Sequence, residues 1–102
     1  MSKKNIIYGQ DKNYAGKLPT KELERAINKL KKRYHDHSDD TTNVAGFEIN
    51  GGEGLTKTGN RAMNDFKEWS QQRGMDAEYN SSSDLDLIKH NLRYRTDNNN
   101  KY

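Results

Sequence analysis

Between Val44 and Gly74 an apolar run, VAGFEI, breaks into NGGEG and gives way to LTKTG and the amphipathic segment RAMNDFKEWSQQRG. A strand, a glycine-rich turn and a helix in direct succession form a supersecondary unit that narrows the folds open to the chain. The same unit can present the N–H groups of a helix start to phosphates. Val44, Phe47 and Ile49 supply the bulk of the strand around the small pair Ala45–Gly46. The helix is expected to begin between Thr56 and Asn60 and to run to Arg73, with Ala62, Met63, Phe66 and Trp69 inward and Gly74 at its C-terminal cap.

Upstream, Asn5-Ile6-Ile7-Tyr8 reads as a short edge strand inside an otherwise polar opening segment. A first helix follows. Pro19 stands beside Thr20, the expected N-cap, and Glu22 and Glu24 fall where negative charge favours the helix dipole. Leu23, Ala26, Ile27, Leu30 and Tyr34 recur at helical spacing and form one apolar stripe. The polar run HDHSDDTTN, residues 35 to 43, then stops the helix. Downstream, residues 75 to 81 read as a short strand. Ser83 would cap a last helix carrying Leu85, Ile88 and Leu92, with Asp86 completing a capping box. Strands alternating with helices predict a small α/β (or α+β) domain, with about three helices packed on a two- or three-stranded sheet. The expected boundaries are a flexible segment at 1–17, the folded domain at 18–95 and a disordered tail at 96–102.

Composition narrows function. At 102 residues the chain suits one domain with a modest core, and Leu, Ile, Val and Phe together number only 15. With no Cys, disulfides, thiolate zinc sites and cysteine catalysis are ruled out. No apolar stretch is long enough to span a bilayer, and the opening residues lack the apolar core of a secretory signal, so the expected location is the cytoplasm. Net charge is +3, but residues 1–34 carry ten Lys or Arg against three Asp or Glu, whereas residues 35–102 carry eight against twelve. A cationic first third suits a polyanionic partner, although a lysine-rich helix also serves solubility.

Individual motifs separate further. Lys57-Thr58 follows Leu55-Thr56 rather than the Gly-Lys pairing of a phosphate-binding loop, so NGGEGLTKTG does not read as a nucleotide site. His35, Asp36, His37, Asp39 and Asp40 have metal-compatible side chains but read as a solvated turn. Lys89, His90, Arg93 and Arg95 surround Tyr94, a pattern that either grips a phosphate and stacks a base or simply ends a helix favourably. No Gly-x-Ser-x-Gly turn or triad signature supports nucleophilic hydrolysis.

FEI, Asn50, Gly54, Leu55-Thr56, a helix ending at Gly74, the strand AEYNSS and Asp84-Leu85 opening a helix together resemble the second half of the VRR-type nuclease domain of the PD-(D/E)xK superfamily, over residues 44–92. The resemblance implies that Glu48 is a metal-binding and catalytic carboxylate, that Glu22 or Glu24 adds a further acid, and that Mg²⁺ or Mn²⁺ is the cofactor of an active enzyme. Asn50 holds the position of the catalytic Lys, leaving Lys57 as its substitute from the neighbouring turn. On that basis the resemblance implies a reduced, catalytically inactive relative that keeps nucleic-acid binding.

The expected function is therefore nucleic-acid binding, with Lys29, Lys32, Arg33, Lys57, Arg93 and Tyr94 in contact. Alternatives are a phage or mobile-element protein that inhibits a host enzyme through its acidic 35–86 region, and a metal-dependent nuclease using Glu48 and Lys57.

Overall fold

The computed structural model describes residues 3–82. Along them run strand β1 (Lys4–Asp11), helix α1 (Thr20–Asp36), strand β2 (Thr42–Asn50), helix α2 (Lys57–Gln71) and strand β3 (Asp76–Asn80). The strands pair in parallel in the order β1-β2-β3. Parallel neighbours cannot be joined by a hairpin, so each pairing requires a crossover, and each crossover here is a helix. α1 and α2 pack against each other as well as on the sheet, so both lie on one face of it. The α/β class expected from the alternation is what forms. Two helices, rather than about three, stand among the described residues. The expected helix from Ser83, the basic patch around Tyr94 and the tail 96–102 lie outside those residues.

Side-chain parity decides which strand residues reach the helices. Ile6 and Tyr8 of β1 and Phe47 and Ile49 of β2 are buried in the core. Val44 packs against the same core although it lies three residues before Phe47, an odd step that would send it to the other face of a regular strand. The register resolves the conflict: Val44 pairs with Ile6 and Gly46 with Ile7, so Ala45 is an extra residue in a bulge. The small pair Ala45–Gly46 marks that bulge in the sequence, and a side chain on Gly46 would press to 2.7 Å from the carbonyl oxygen of Asp76.

Between sheet and helices, Phe47 and Phe66 meet at 5.2 Å between ring centroids, and Trp69 and Tyr34 extend the cluster outward. Fully burying side chains of this size contributes about 1.5–3 kcal/mol each. Leu23, Ala26, Ile27 and Leu30 form the buried stripe of α1, as their spacing indicates. On α2 the buried set is Gly59, Met63, Phe66 and Ser70, with Ala62 and Trp69 only half-buried. Ser70 tolerates full burial because its hydroxyl donates to the carbonyl of Phe66 at 2.9 Å.

The helix starts differ from expectation in one respect. Pro19, not Thr20, is the N-cap of α1, and it makes no side-chain cap hydrogen bond. Thr20 is already helical, and its hydroxyl turns sideways to share hydrogen bonds of 2.6 Å with both Thr56 and Thr58. Only Glu22 then falls in the first turn. α2 is capped conventionally, Thr56 accepting from the N–H of Gly59 at 3.0 Å. It ends at Gln71, two residues before the expected Arg73, with Gln72 rather than Gly74 as its C-cap; Gly74 follows at φ +76°, and Met75 N–H returns to the carbonyl of Ser70.

Gly51 closes β2 with φ +123°, and a Cβ there would collide with the carbonyl oxygen of Lys12. Gly51→Ala is expected to destabilise the fold by about 2 kcal/mol or more, and Thr56→Ala by about 1 kcal/mol. Urea unfolding followed by circular dichroism checks both; equal midpoints for Gly51→Ala and the unaltered protein would show that the turn relaxes.

Candidate nucleic-acid interface

In a parallel sheet the loops after the strands gather at one edge, and here they are laced together. Lys12 N–H donates to the carbonyl of Asn50 at 2.7 Å, Gly51 N–H to that of Asn80 at 2.9 Å, and Glu53 N–H to that of Gly16 at 2.8 Å. Gly54 N–H donates to the hydroxyl of Tyr79 at 3.1 Å, and that hydroxyl donates to the carbonyl of Gly51 at 2.7 Å. Three of the turn's amides thus already have acceptors within the protein, so the turn is a joint between loops rather than a phosphate cradle. Beside it, the hydroxyls of Thr20, Thr56 and Thr58 bring the starts of α1 and α2 together.

The cations lie mainly on the helices. α1 carries six Lys or Arg against three Asp or Glu, and α2 three against two. The three strands together carry one Lys against four carboxylates, Asp11, Glu48, Asp76 and Glu78. In register, Glu48 aligns with Glu78, Gly46 with Asp76 and Asn50 with Asp11. These positions alternate with Phe47 and Ile49, so all four carboxylates belong to the sheet face turned away from the helices. The layers are therefore oppositely charged.

Lys21, Arg25, Lys29 and Lys32 are exposed along α1, and Lys57 and Arg61 are exposed along the first turns of α2. Lys21 and Lys57 neighbour the threonine contact, so the two rows begin side by side. Arg25 is paired with Glu22 at 2.7 Å and Lys32 with Asp36 at 2.9 Å; exposed pairs of this kind are worth little and exchange readily. Arg33 departs from the outer row: its guanidinium lies 4.1 Å above the ring of Tyr8, toward the β1 side. At the other flank, Lys31 and Arg73 lie over Trp69 at 5.0 and 4.1 Å. Of the cations singled out from sequence, Lys29, Lys32 and Lys57 share the helix-layer surface, and Arg33 is at its margin. Arg93 and Tyr94 lie outside the described residues. Lys21, Arg25 and Arg61 escaped the sequence reading, although their four-residue spacing on amphipathic helices carries the signal.

The residues that the nuclease resemblance assigns to catalysis do not converge. Glu48 is buried near the C-terminal end of β2 on the sheet face away from the helices, whereas Lys57 opens α2 on the other side. Glu22 contacts Arg25 and Lys12 at the start of α1, and Glu24 is exposed on the same helix. Asn50 is engaged structurally, donating to Asp11 at 3.0 Å and accepting from Asn80 at 2.9 Å. A divalent ion wants several oxygen ligands, and among the described residues no three His, Cys, Asp or Glu side chains come together to hold one. Among the described residues, the donors do not gather into a site for Mg²⁺ or Mn²⁺.

His37 serves the fold. The carbonyl of Thr42 can only accept, so at 3.1 Å it places the proton on Nε2, and Nδ1 accepts from the hydroxyl of Tyr8 at 2.7 Å. Nearby, the cleft lined by Lys3 and Arg73 is also lined by Asp39 and Asp40, so a phosphate entering it meets carboxylates. Comparison with family models, curated proteins and solved structures brings no match. Among the described residues, no helix is long and apolar enough to cross a membrane.

The hydroxyl of Thr41, then its N–H, holds the Asp39 carboxyl below its ordinary range. Because the folded value is depressed, this contact favours the folded state above the unfolded pKa, and its contribution is lost as pH falls through the folded one. Carboxyl NMR titration should place the Asp39 midpoint below that of the unfolded chain, and Thr41→Val should raise it part of the way.

Proposed function

We propose that the protein is a small cytoplasmic nucleic-acid-binding protein that grips phosphates with the outer surface of its helix layer. Lys29 and Lys32 on α1 and Lys57 on α2 make the contacts, and Arg33 adds one from the margin. The observation that carries this reading is the division of charge between layers, with exposed cations on the helices and the strands' carboxylates behind the sheet. Formal net charge is +3, and the helices carry nine Lys or Arg against five Asp or Glu, so a polyanion approaching them meets an excess of cations. The separation of Glu48 from Lys57 favours binding without cleavage.

A second reading draws on the other side of the molecule. Asp11, Asp76 and Glu78, aligned on one sheet face, suit a basic protein surface, as a phage or mobile-element inhibitor of a host enzyme would require. A stoichiometric protein partner that survives nuclease treatment of a host extract would favour it.

Affinity for nucleic acid should fall as salt rises, with a log–log slope set by the number of phosphates neutralised. Lys29→Ala combined with Lys32→Ala should lessen that slope by about 2, with the circular dichroism spectrum unchanged. Binding that is absent at low salt, or indifferent to salt, would overturn the proposal.

A further inference from the structure

Both helices lie on one face of the sheet, yet the opposite face is not wet throughout. Glu48 and Asn50 belong to that opposite face and are only 5% and 3% exposed, and Gly9 and Gly46 are buried beside them. Sheets paired in parallel are as a rule covered on both faces, and among the described residues neither helix covers this one. Its middle is small and apolar. Ile7 pairs with Gly46 and Gly9 with Glu48, and Ile7, Ala45 and Gly46 line a hollow of about 350 Å³ whose β3 side is formed by the exposed carboxylates Asp76 and Glu78.

An occupant of matching chemistry is an apolar stripe with cations beside it, and the chain carries one directly after β3. Leu85, Ile88 and Leu92 recur at helical spacing, with Lys89 and Arg93 four residues apart next to them. From Lys89 to Arg95 there are three Lys or Arg and no Asp or Glu. Residues 83–102 lie outside the described residues, but their point of departure is fixed, because Ser82 N–H donates to the carbonyl of Gly52 at 2.8 Å, at the edge where the strands end. A segment tethered there is held at a local concentration on the order of millimolar, against which a separate partner must compete.

Distances along the two elements agree. Counted back along β3 from Asn80 at about 3.3 Å per residue, Glu78 lies about 7 Å and Asp76 about 13 Å from the strand's end. Counted from Ser83 at about 1.5 Å per residue of helix, Lys89 lies about 9 Å and Arg93 about 15 Å along. A helical segment turning back over the sheet therefore brings Lys89 opposite Glu78 and Arg93 opposite Asp76.

We propose that the acidic sheet face is the docking site of this chain's own segment 84–95, with Leu85, Ile88 and Leu92 on Ile7 and Gly46, and Lys89 and Arg93 on Glu78 and Asp76. Arg93 then serves the chain's own carboxylates rather than a polyanion, whatever the helix layer binds. A basic protein partner reaches this face only by displacing the segment.

The full chain has no Cys, so Thr96→Cys carries a single nitroxide label. In the NMR spectrum the amide signals of Gly46 and Asp76 should broaden more than those of Lys29 and Lys32 on the outer side of α1. Ile88→Asp should abolish that broadening while the chemical shifts of α1 and α2 stay in place. Glu78→Lys should lessen it, and adding Lys89→Glu should bring it back. Unbroadened Gly46 and Asp76 signals, or equal broadening on α1, would overturn the proposal, because the segment then lies elsewhere. Full broadening retained by Ile88→Asp would do the same. Broadening of equal strength in a mixture of nitroxide-bearing and isotope-labelled chains would instead make the occupant a second copy, which also defeats it.

Discussion

The parallel pairing of β2 with both its neighbours is the constraint from which the rest of the molecule follows. A parallel neighbour obliges the chain to travel back along the sheet before it can pair, and both return journeys are made by helices on the same face. The apolar stripe of each helix must then face the sheet, which turns its charged residues outward. Because the side chains of β2 alternate, the same pairing that directs Phe47 and Ile49 into the core directs Glu48 away from it. The pairing of the backbone thus decides which charged residues share a side of the sheet.

The edge where the strands end illustrates how a local sequence signal acquires a different meaning in three dimensions. Glycines before a helix are the usual preparation for an anion, since small residues let backbone amides approach a ligand. In this fold the strand order β1-β2-β3 never reverses along the described sheet, so the crevice that doubly wound proteins use for nucleotides has no counterpart. Instead Gly51 lets the β2 turn pass close to the carbonyl of Lys12, while Tyr79 ties the turn to β3. The glycines serve the approach of one loop to another.

Much of this fold is readable from pattern. The stripes of α1 and α2, a start of α2 in the stretch from Thr56 to Asn60 and the existence of β2 and β3 follow from periodicity and turn chemistry, whereas α2 stops at Gln71, short of the expected Arg73. β1 was legible only as its apolar centre, Asn5 to Tyr8, because Gly9, Gln10 and Asp11 enter the ladder through pairing with Glu48, Ile49 and Asn50 rather than through propensity. Thr20 looked like a cap because its side chain is the right kind, and nothing local reveals that α2 competes for its hydroxyl. The same limit applies to the candidate site. Lys29 and Lys32 stand in a dense cationic run and are conspicuous, whereas Arg61 is a lone cation among Asn60, Ala62 and Asn64 and gains meaning only when α2 is laid beside α1. Glu48 and Lys57, nine residues apart along the chain, look like neighbours until the sheet is placed between them.

Distance through the protein explains why the acidic face need not cancel the basic one. An α-helix with its side chains is about 10–12 Å across, so the carboxylates behind the sheet lie farther than that from the outer surface of α1 and α2. The Debye length at physiological ionic strength is about 8 Å, and charges around the edge of the sheet are screened accordingly. A polyanion near the helices is therefore influenced chiefly by the charges of α1 and α2 themselves, the exposed Lys21, Arg25, Lys29, Lys32, Lys57 and Arg61 together with Glu24, Asp65 and Glu68. At lower ionic strength the screening weakens and the layers act as a dipole, so orientation is imposed at longer range and precedes contact. A chain of modest net charge can in this way present a directional surface, because the fold, rather than the composition, sorts its charges.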